Sequence, residues 1–245
     1  MEVELVLEQF HEFCRQNGDK AVVQKQSRYF VEGYDAFGLS GTAMEEIHKT
    51  LLVNYRGALG FDGFLSLGDR LIKTGKYEDA SLALMFAVDF AKEYTPEHFE
   101  RFGCWLDNGI RNWAHADMMA VKIFPIFLKK KIISYTAFST WRSAESKWKR
   151  RVVPVSLIKE LKACPDITVW LAFLEPMMLM PEKVVHQGLG WFLREAWKRY
   201  PVPVEELLFR WKDSAPRLII QYATEKMTSD QKARFKKGKA QAIQP

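Results

Sequence analysis

Residues 166–199, DITVWLAFLEPMMLMPEKVVHQGLGWFLREAWKR, hold the pattern from which the rest of the chain is read. Apolar residues recur at helical spacing over 166–179 and again over 182–199, with Pro181 between the two runs. This is one helix–turn–helix unit. Working outward, the same spacing predicts helices near 3–16, 20–32, 43–55, 62–73, 77–93, 96–107, 113–128, 135–145, 147–162, 204–213, 215–226 and 229–236. Alternating β-branched runs do not occur, so the chain reads as all-α. Start signals agree. Thr42-Ala-Met-Glu45 has the form of a capping box, Thr95 precedes Pro96, and Ser214 stands shortly before Pro216. First members of successive helix pairs begin near 62, 96, 135, 166 and 204, a period of 30 to 40 residues, which is the pattern of an α-solenoid. The glycines of Gly57-Ala-Leu-Gly60-Phe-Asp-Gly63 read as a turn between helices, and no linker divides the chain. The expectation is one curved domain over 1–228, followed by a basic, disordered tail over 229–245.

Composition narrows the class. The 245 residues are 48% hydrophobic and 13% aromatic, enough to build a packed core. The most apolar stretch, Met118–Leu128, contains Lys122 and runs into Lys129, Lys130 and Lys131, too short for a membrane span. MEVELVLEQF carries three acids and no early basic cluster, unlike a secretory or mitochondrial presequence, so a cytoplasmic location is expected. Cys14, Cys104 and Cys164 are too far apart to frame a ligand pair and are expected as buried thiols. His11-Glu12 has Arg15 where the second histidine of a zinc-protease motif would fall, and no metal is expected.

The net charge of +6 is uneven. Between Lys129 and Arg151 eight basic residues face the single acid Glu145, and from Lys226 to Lys239 six face Asp230. A chain that is mildly acidic outside two basic segments is suited to a polyanion such as nucleic acid. The C-terminal segment also fits a solvated terminus. The middle one interleaves Trp141 and Trp148 with Arg142, Lys147, Lys149, Arg150 and Arg151, and arginine forks beside aromatics suit phosphate.

Three further segments stand out. In Asn112-Trp113-Ala-His115-Ala-Asp117 the tryptophan and the aspartate are four residues apart, neighbours on one helix face. An indole beside a carboxylate makes a site with an apolar wall and a full negative charge; the same pattern also fits a core tryptophan with an acid facing the helix dipole. His115 points elsewhere and is given no role. Gly188 and Gly190 fall within a helix beside Trp191, where they would allow close packing, and Met177, Met178 and Met180 read as core filler.

In order and spacing, Asn-Trp-x-x-x-Asp at 112–117, Trp-x-x-Arg at 148–151 and Gly-Trp-x-Leu-Arg-Glu at 190–195 resemble the motifs of the DNA alkylation repair enzymes, the AlkD-type DNA glycosylases. Ser27-Arg28-Tyr29-Phe30, followed by Phe37-Gly38-Leu39-Ser40, is similar to the opening helix and loop of that family. The resemblance covers about 25 to 215. It implies a fold of HEAT-like antiparallel helix pairs, acting as a monomer on duplex DNA with alkylated bases. It also implies excision of positively charged N3- and N7-alkylated purines, with no cofactor. Carried over, the catalytic residues are Asp117, Trp113 and Trp191, with Arg151 on the phosphate and Tyr29 lining the cleft. Arg150, Lys149, Lys147 and Arg142 are the other expected DNA contacts. A non-catalytic HEAT-like module binding DNA or protein is the alternative.

Overall fold

A computed structural model describes residues 2–238. Among them the chain is all-α, with thirteen α-helices, short 3₁₀ turns, one π-helical turn and no strand. It divides into two compact units, Met1–Ser134 and Tyr135–Pro245, where a single domain over 1–228 is expected from sequence. At the division Lys131 turns through the left-handed region (φ 56°) and the helical run stops. Among the described residues no helix is long and apolar enough to cross a membrane.

In the first unit α1 (Glu2–Asn17) buries Val6, Phe10 and Cys14, spaced four apart, and packs on α3 (Gly41–Thr74). Between them α2 (Lys20–Ser27) stops five residues short of its expected end. Helix α3 joins two expected helices into one that bends at Gly60, whose φ of 56° no β-carbon residue adopts readily. Its cap is Ser40, which accepts the Ala43 N–H at 3.1 Å, and not Thr42. Helix α4 (Tyr77–Asp89) lies along α3, and α5 (Pro96–Asn108) starts at the expected Thr95, whose N–H is accepted by the His98 ring at 3.0 Å.

The expected helix 113–128 is three pieces: α6 (Trp113–Met118), a π-helical turn (Met119–Ile123) and α7 (Phe124–Lys129). Pro125 explains the break. It has no N–H for the Val121 carbonyl, its ring crowds the preceding turn, and the Phe124 N–H reaches back five residues to the Met119 carbonyl.

In the second unit the expected helix 135–145 is absent. Tyr135–Phe138 and Thr140–Ser143 form 3₁₀ turns, because hydroxyl side chains there bond to their own backbone, as Ser139 Oγ does to the Thr136 carbonyl at 2.6 Å. Helices α8 (Lys147–Leu157), α9 (Ile167–Leu174), α10 (Lys183–Trp197), α11 (Pro201–Trp211) and α12 (Arg217–Ala223) follow the sequence reading, although α12 takes no side-chain cap from Ser214. Helix α10 is central, packed on α8 at one side and α12 at the other. A β-carbon at Gly190 would stand 2.5 Å from the Tyr222 Cβ, and one at Gly188 would stand 3.2 Å from the Arg151 side chain, so both glycines set helix separations.

The tail is packed over its described part. Helix α13 (Ser229–Ala233) carries a capping box at Thr228, Phe235 is buried beside Phe209, and Arg217 donates to the Phe235 carbonyl at 2.7 Å. The remainder of the expected tail, 239–245, lies outside the described residues. Cys14 and Cys164 are buried thiols as expected, whereas Cys104 is exposed: it stands on the outer face of α5, opposite buried Phe102 and Trp105.

Candidate functional site

Helix α6 begins at Asn112, whose side-chain oxygen accepts the His115 N–H at 3.0 Å. The Asn112 amide nitrogen lies 2.9 Å from His115 Nδ1, and His115 Nε2 lies 2.9 Å from Ser81 Oγ, which donates to the Tyr77 carbonyl. Burial pushes the imidazole down to about 3. The ring is therefore neutral, accepting from Asn112 at Nδ1 and donating to Ser81 at Nε2. The residue to which the sequence reading gives no role is the one that locks the first turn of α6 against α4. Its signal in the sequence was a histidine on the buried side of a short helix directly after an asparagine cap.

That lock sets Trp113. Its indole N–H donates to the Tyr29 carbonyl at 3.1 Å, and its face is stacked on Phe30 at 5.7 Å, with Phe30 in turn stacked on Tyr34 at 4.8 Å. Yet 42% of Trp113 remains exposed. An indole whose edge and one face are fixed while much of it meets solvent is a prepared stacking surface, not a core residue. Asp117 follows one helical turn later and is half-buried. Tyr29 is 53% exposed, and Arg28 covers its ring at 4.9 Å while donating to its hydroxyl. The first unit thus brings Trp113, Asp117 and Tyr29 into one locality.

The second unit holds the other expected residues. Trp191 is half-buried on α10. Arg151 is buried on the facing side of α8 and donates to the Val184 carbonyl at 2.6 Å. Arg150 is also buried; it pairs with Glu182 and donates to the Ala144 and Glu145 carbonyls. Sequence reasoning offers both arginines to DNA phosphate, and the structure turns them inward, toward partners at 182 and 184 more than thirty residues away in the chain. The lysines differ. Lys147 lies over the buried Trp148 ring at 5.1 Å and Lys149 over buried Trp141 at 5.0 Å, while Arg142 covers Phe173 at 4.3 Å and donates to its carbonyl. Among the described residues no group of three His, Cys, Asp or Glu side chains could hold a metal ion.

A family model described as DNA alkylation repair enzyme matches residues 12–227. The chain belongs to the DNA alkylation repair enzyme family. A solved structure described as a "predicted DNA alkylation repair enzyme" from Enterococcus faecalis shares the fold, with a TM-score of 0.75 at 16% identity, over 87% of this chain and 98% of that one. No curated protein matches the chain. For a member of a DNA alkylation repair family, an exposed indole one helical turn from a carboxylate and lysines mounted on aromatic rings are features suited to damaged DNA.

Proposed function

We propose that this member of the family is a DNA glycosylase that releases positively charged N3- and N7-alkylated purines from duplex DNA, with Asp117, Trp113 and Trp191 as its catalytic residues. The observation that carries the reading is Trp113: half-exposed, locked through Tyr29 and Phe30, and one helical turn before Asp117. An alkylated purine already bears a positive charge. When the glycosidic bond breaks, the bonding pair leaves with the base, which departs neutral, and the sugar is left as an oxocarbenium ion. Water adds to C1′ and loses its proton, giving an abasic site. The demand on the protein is to stabilise a sugar cation, not to protonate the leaving group. A carboxylate about 4 Å from that charge, at an effective dielectric near 20, contributes on the order of 4 kcal/mol, or about a thousandfold in rate. Indole faces at Trp113 and Trp191 would add roughly 1–2 kcal/mol where water is excluded.

Lys147 and Lys149, and Arg142 beside them, would meet phosphates and supply affinity without reading sequence. For Arg151, which is buried and donates to the Val184 carbonyl, the reading requires that its side chain also reach the backbone. Incubating the protein with N-methylated duplex DNA and measuring released base tests the assignment. Release that falls steeply in Asp117→Asn, with DNA binding kept, is expected. A folded protein that binds DNA and releases no base above background would leave the non-catalytic binding module as the function.

A further inference from the structure

The run Lys129-Lys130-Lys131 opens the basic middle segment of the sequence and has no part in the proposed chemistry. In the first unit it is joined by cations from two other elements. Helix α7 ends at Lys129, and Lys130 Nζ donates to the Ala91 carbonyl at 2.8 Å, which sets its ammonium beside the turn that carries Lys92. Arg56 of α3 reaches the same turn, its guanidinium lying over the Phe90 ring at 4.8 Å. All five side chains are exposed, and among the described residues none of them is ion-paired. The acids nearest in sequence are Asp89 and Glu93. Asp89 is bonded to His48 at 2.6 Å, and Glu93 lies with Asp62 close enough to His98 for both charges to act on that ring.

The cluster has a firm mount. Phe90 is stacked on Phe61 of α3 at 5.1 Å. Tyr94 is stacked on Phe127 of α7 at 4.5 Å, and its hydroxyl donates to the Ala87 carbonyl at 2.8 Å. All four rings are buried, so three elements distant in sequence are pinned together with their cations outward. Lysines at the end of α7 also suit its dipole, but that accounts for neither Arg56 nor Lys92, which belong to other elements. With the rings inside, the cluster offers charge without a stacking platform for unpaired bases and without an aromatic anchor for a peptide. A regularly charged, base-paired backbone is what it fits.

We propose that Arg56, Lys92 and Lys129–Lys131 form a second DNA contact, in the first unit, that takes backbone phosphates of the duplex flanking the lesion. Its preference for a polyanion follows from the cluster alone, and the choice of duplex DNA rests on the repair reading. Lys129 stands sixteen residues beyond Trp113 on the 113–129 segment, on the order of 24 Å at the rise of a helix. That span is about seven base-pair steps, so a duplex that stops about four base pairs from the lesion would fall short of the cluster.

The test is titration of the full chain with two duplexes, about 9 and about 25 base pairs long, each with a stable abasic-site analogue at its centre, over a range of salt concentrations. For the longer duplex, Arg56→Ala/Lys92→Ala/Lys130→Ala should make the slope of log affinity against log salt shallower by about three and weaken binding about tenfold or more. For the shorter duplex it should change neither, and base release at saturating methylated DNA should be kept. If that variant does not fold, Lys129→Glu/Lys131→Glu, at exposed positions, should lower affinity for the longer duplex alone. An unchanged slope in a folded variant, or an equal loss on both duplexes, would overturn the contact. So would polyglutamate that binds the parent and not the variant while DNA binding is the same for both, which would hand the cluster to an acidic protein partner. A slope lost in the variant, with no base released by either protein, would sink the glycosylase reading and leave the contact standing; base release with an unchanged slope would sink the contact alone.

Discussion

Helices α6 and α8 begin alike and end up doing opposite things. Each opens on a side-chain cap, Asn112 or Ser146, accepting the N–H three residues on, and each puts a tryptophan in its first turn. Trp113 is 42% exposed and Trp148 6%. In α6 the buried partner is His115, which takes the inward side and leaves the indole outward. In α8 the indole goes inward with Arg150 and Arg151, and the lysines at 147 and 149 are left lying on aromatic faces. An outward indole is a surface to stack on, and an inward one is a mount for a cation. On the proposed reading α6 supplies chemistry and α8 supplies affinity.

The division is broken most directly at Asp117. If α6 carries the chemistry, Asp117→Asn should reduce base release about a thousandfold, the loss of roughly 4 kcal/mol of cation stabilisation. DNA affinity should stay near that of the parent. A loss below about fivefold would remove the carboxylate from the mechanism and leave α6 with a stacking role only.

The converse test is Arg150. Its charge is buried and matched by Glu182, so Arg150→Ala leaves a half-buried carboxylate without its partner and should cost about 3 kcal/mol in urea denaturation. If stability were unchanged and DNA binding fell instead, Arg150 would belong with the lysines as a ligand contact and the contrast between the helices would narrow.

The lock on α6 has its own signature. His115 titrates near 6.5 when unfolded and is pushed to about 3 by burial, so below pH 6.5 the unfolded chain binds a proton that the folded chain refuses. The stability it contributes is fully present above pH 6.5 and is lost as pH falls from there toward about 3. Between pH 7 and pH 5 this amounts to about 2 kcal/mol. Denaturation profiles of the parent against His115→Gln should show this acid-side slope in the parent and its loss in the variant.

Much of this was legible in the chain. Helical spacing located nearly every helix, since a 3.6-residue apolar period is set by local geometry and survives without knowledge of partners. Gly188 and Gly190 were readable as close-approach residues, and the structure sets them against Arg151 and Tyr222. What escaped depends on distant partners. Nothing near Arg150 announces Glu182, so a run of cations read as a set of DNA contacts. Nothing near His115 announces Ser81, so its role was missed. The 135–145 segment failed for a local reason: its hydroxyl residues compete for the backbone bonds that an α-helix needs. Trp113 and Asp117 were found by spacing, while the exposure that separates a platform from a core tryptophan became visible only in three dimensions.

The smallest effect is the sharpest check on α8. Lys149 rests on the Trp141 face, a partly exposed cation–π contact contributing about 0.5–1 kcal/mol. If its ammonium also meets a phosphate, removing it releases one fewer counterion on binding. The slope of log affinity against log salt should then become shallower by about one, for methylated and unmethylated duplex alike. Base release measured at saturating DNA should not change. A lysine that only props up Trp141 would leave the salt slope where it was, and one that took part in chemistry would lower release even when every site is filled.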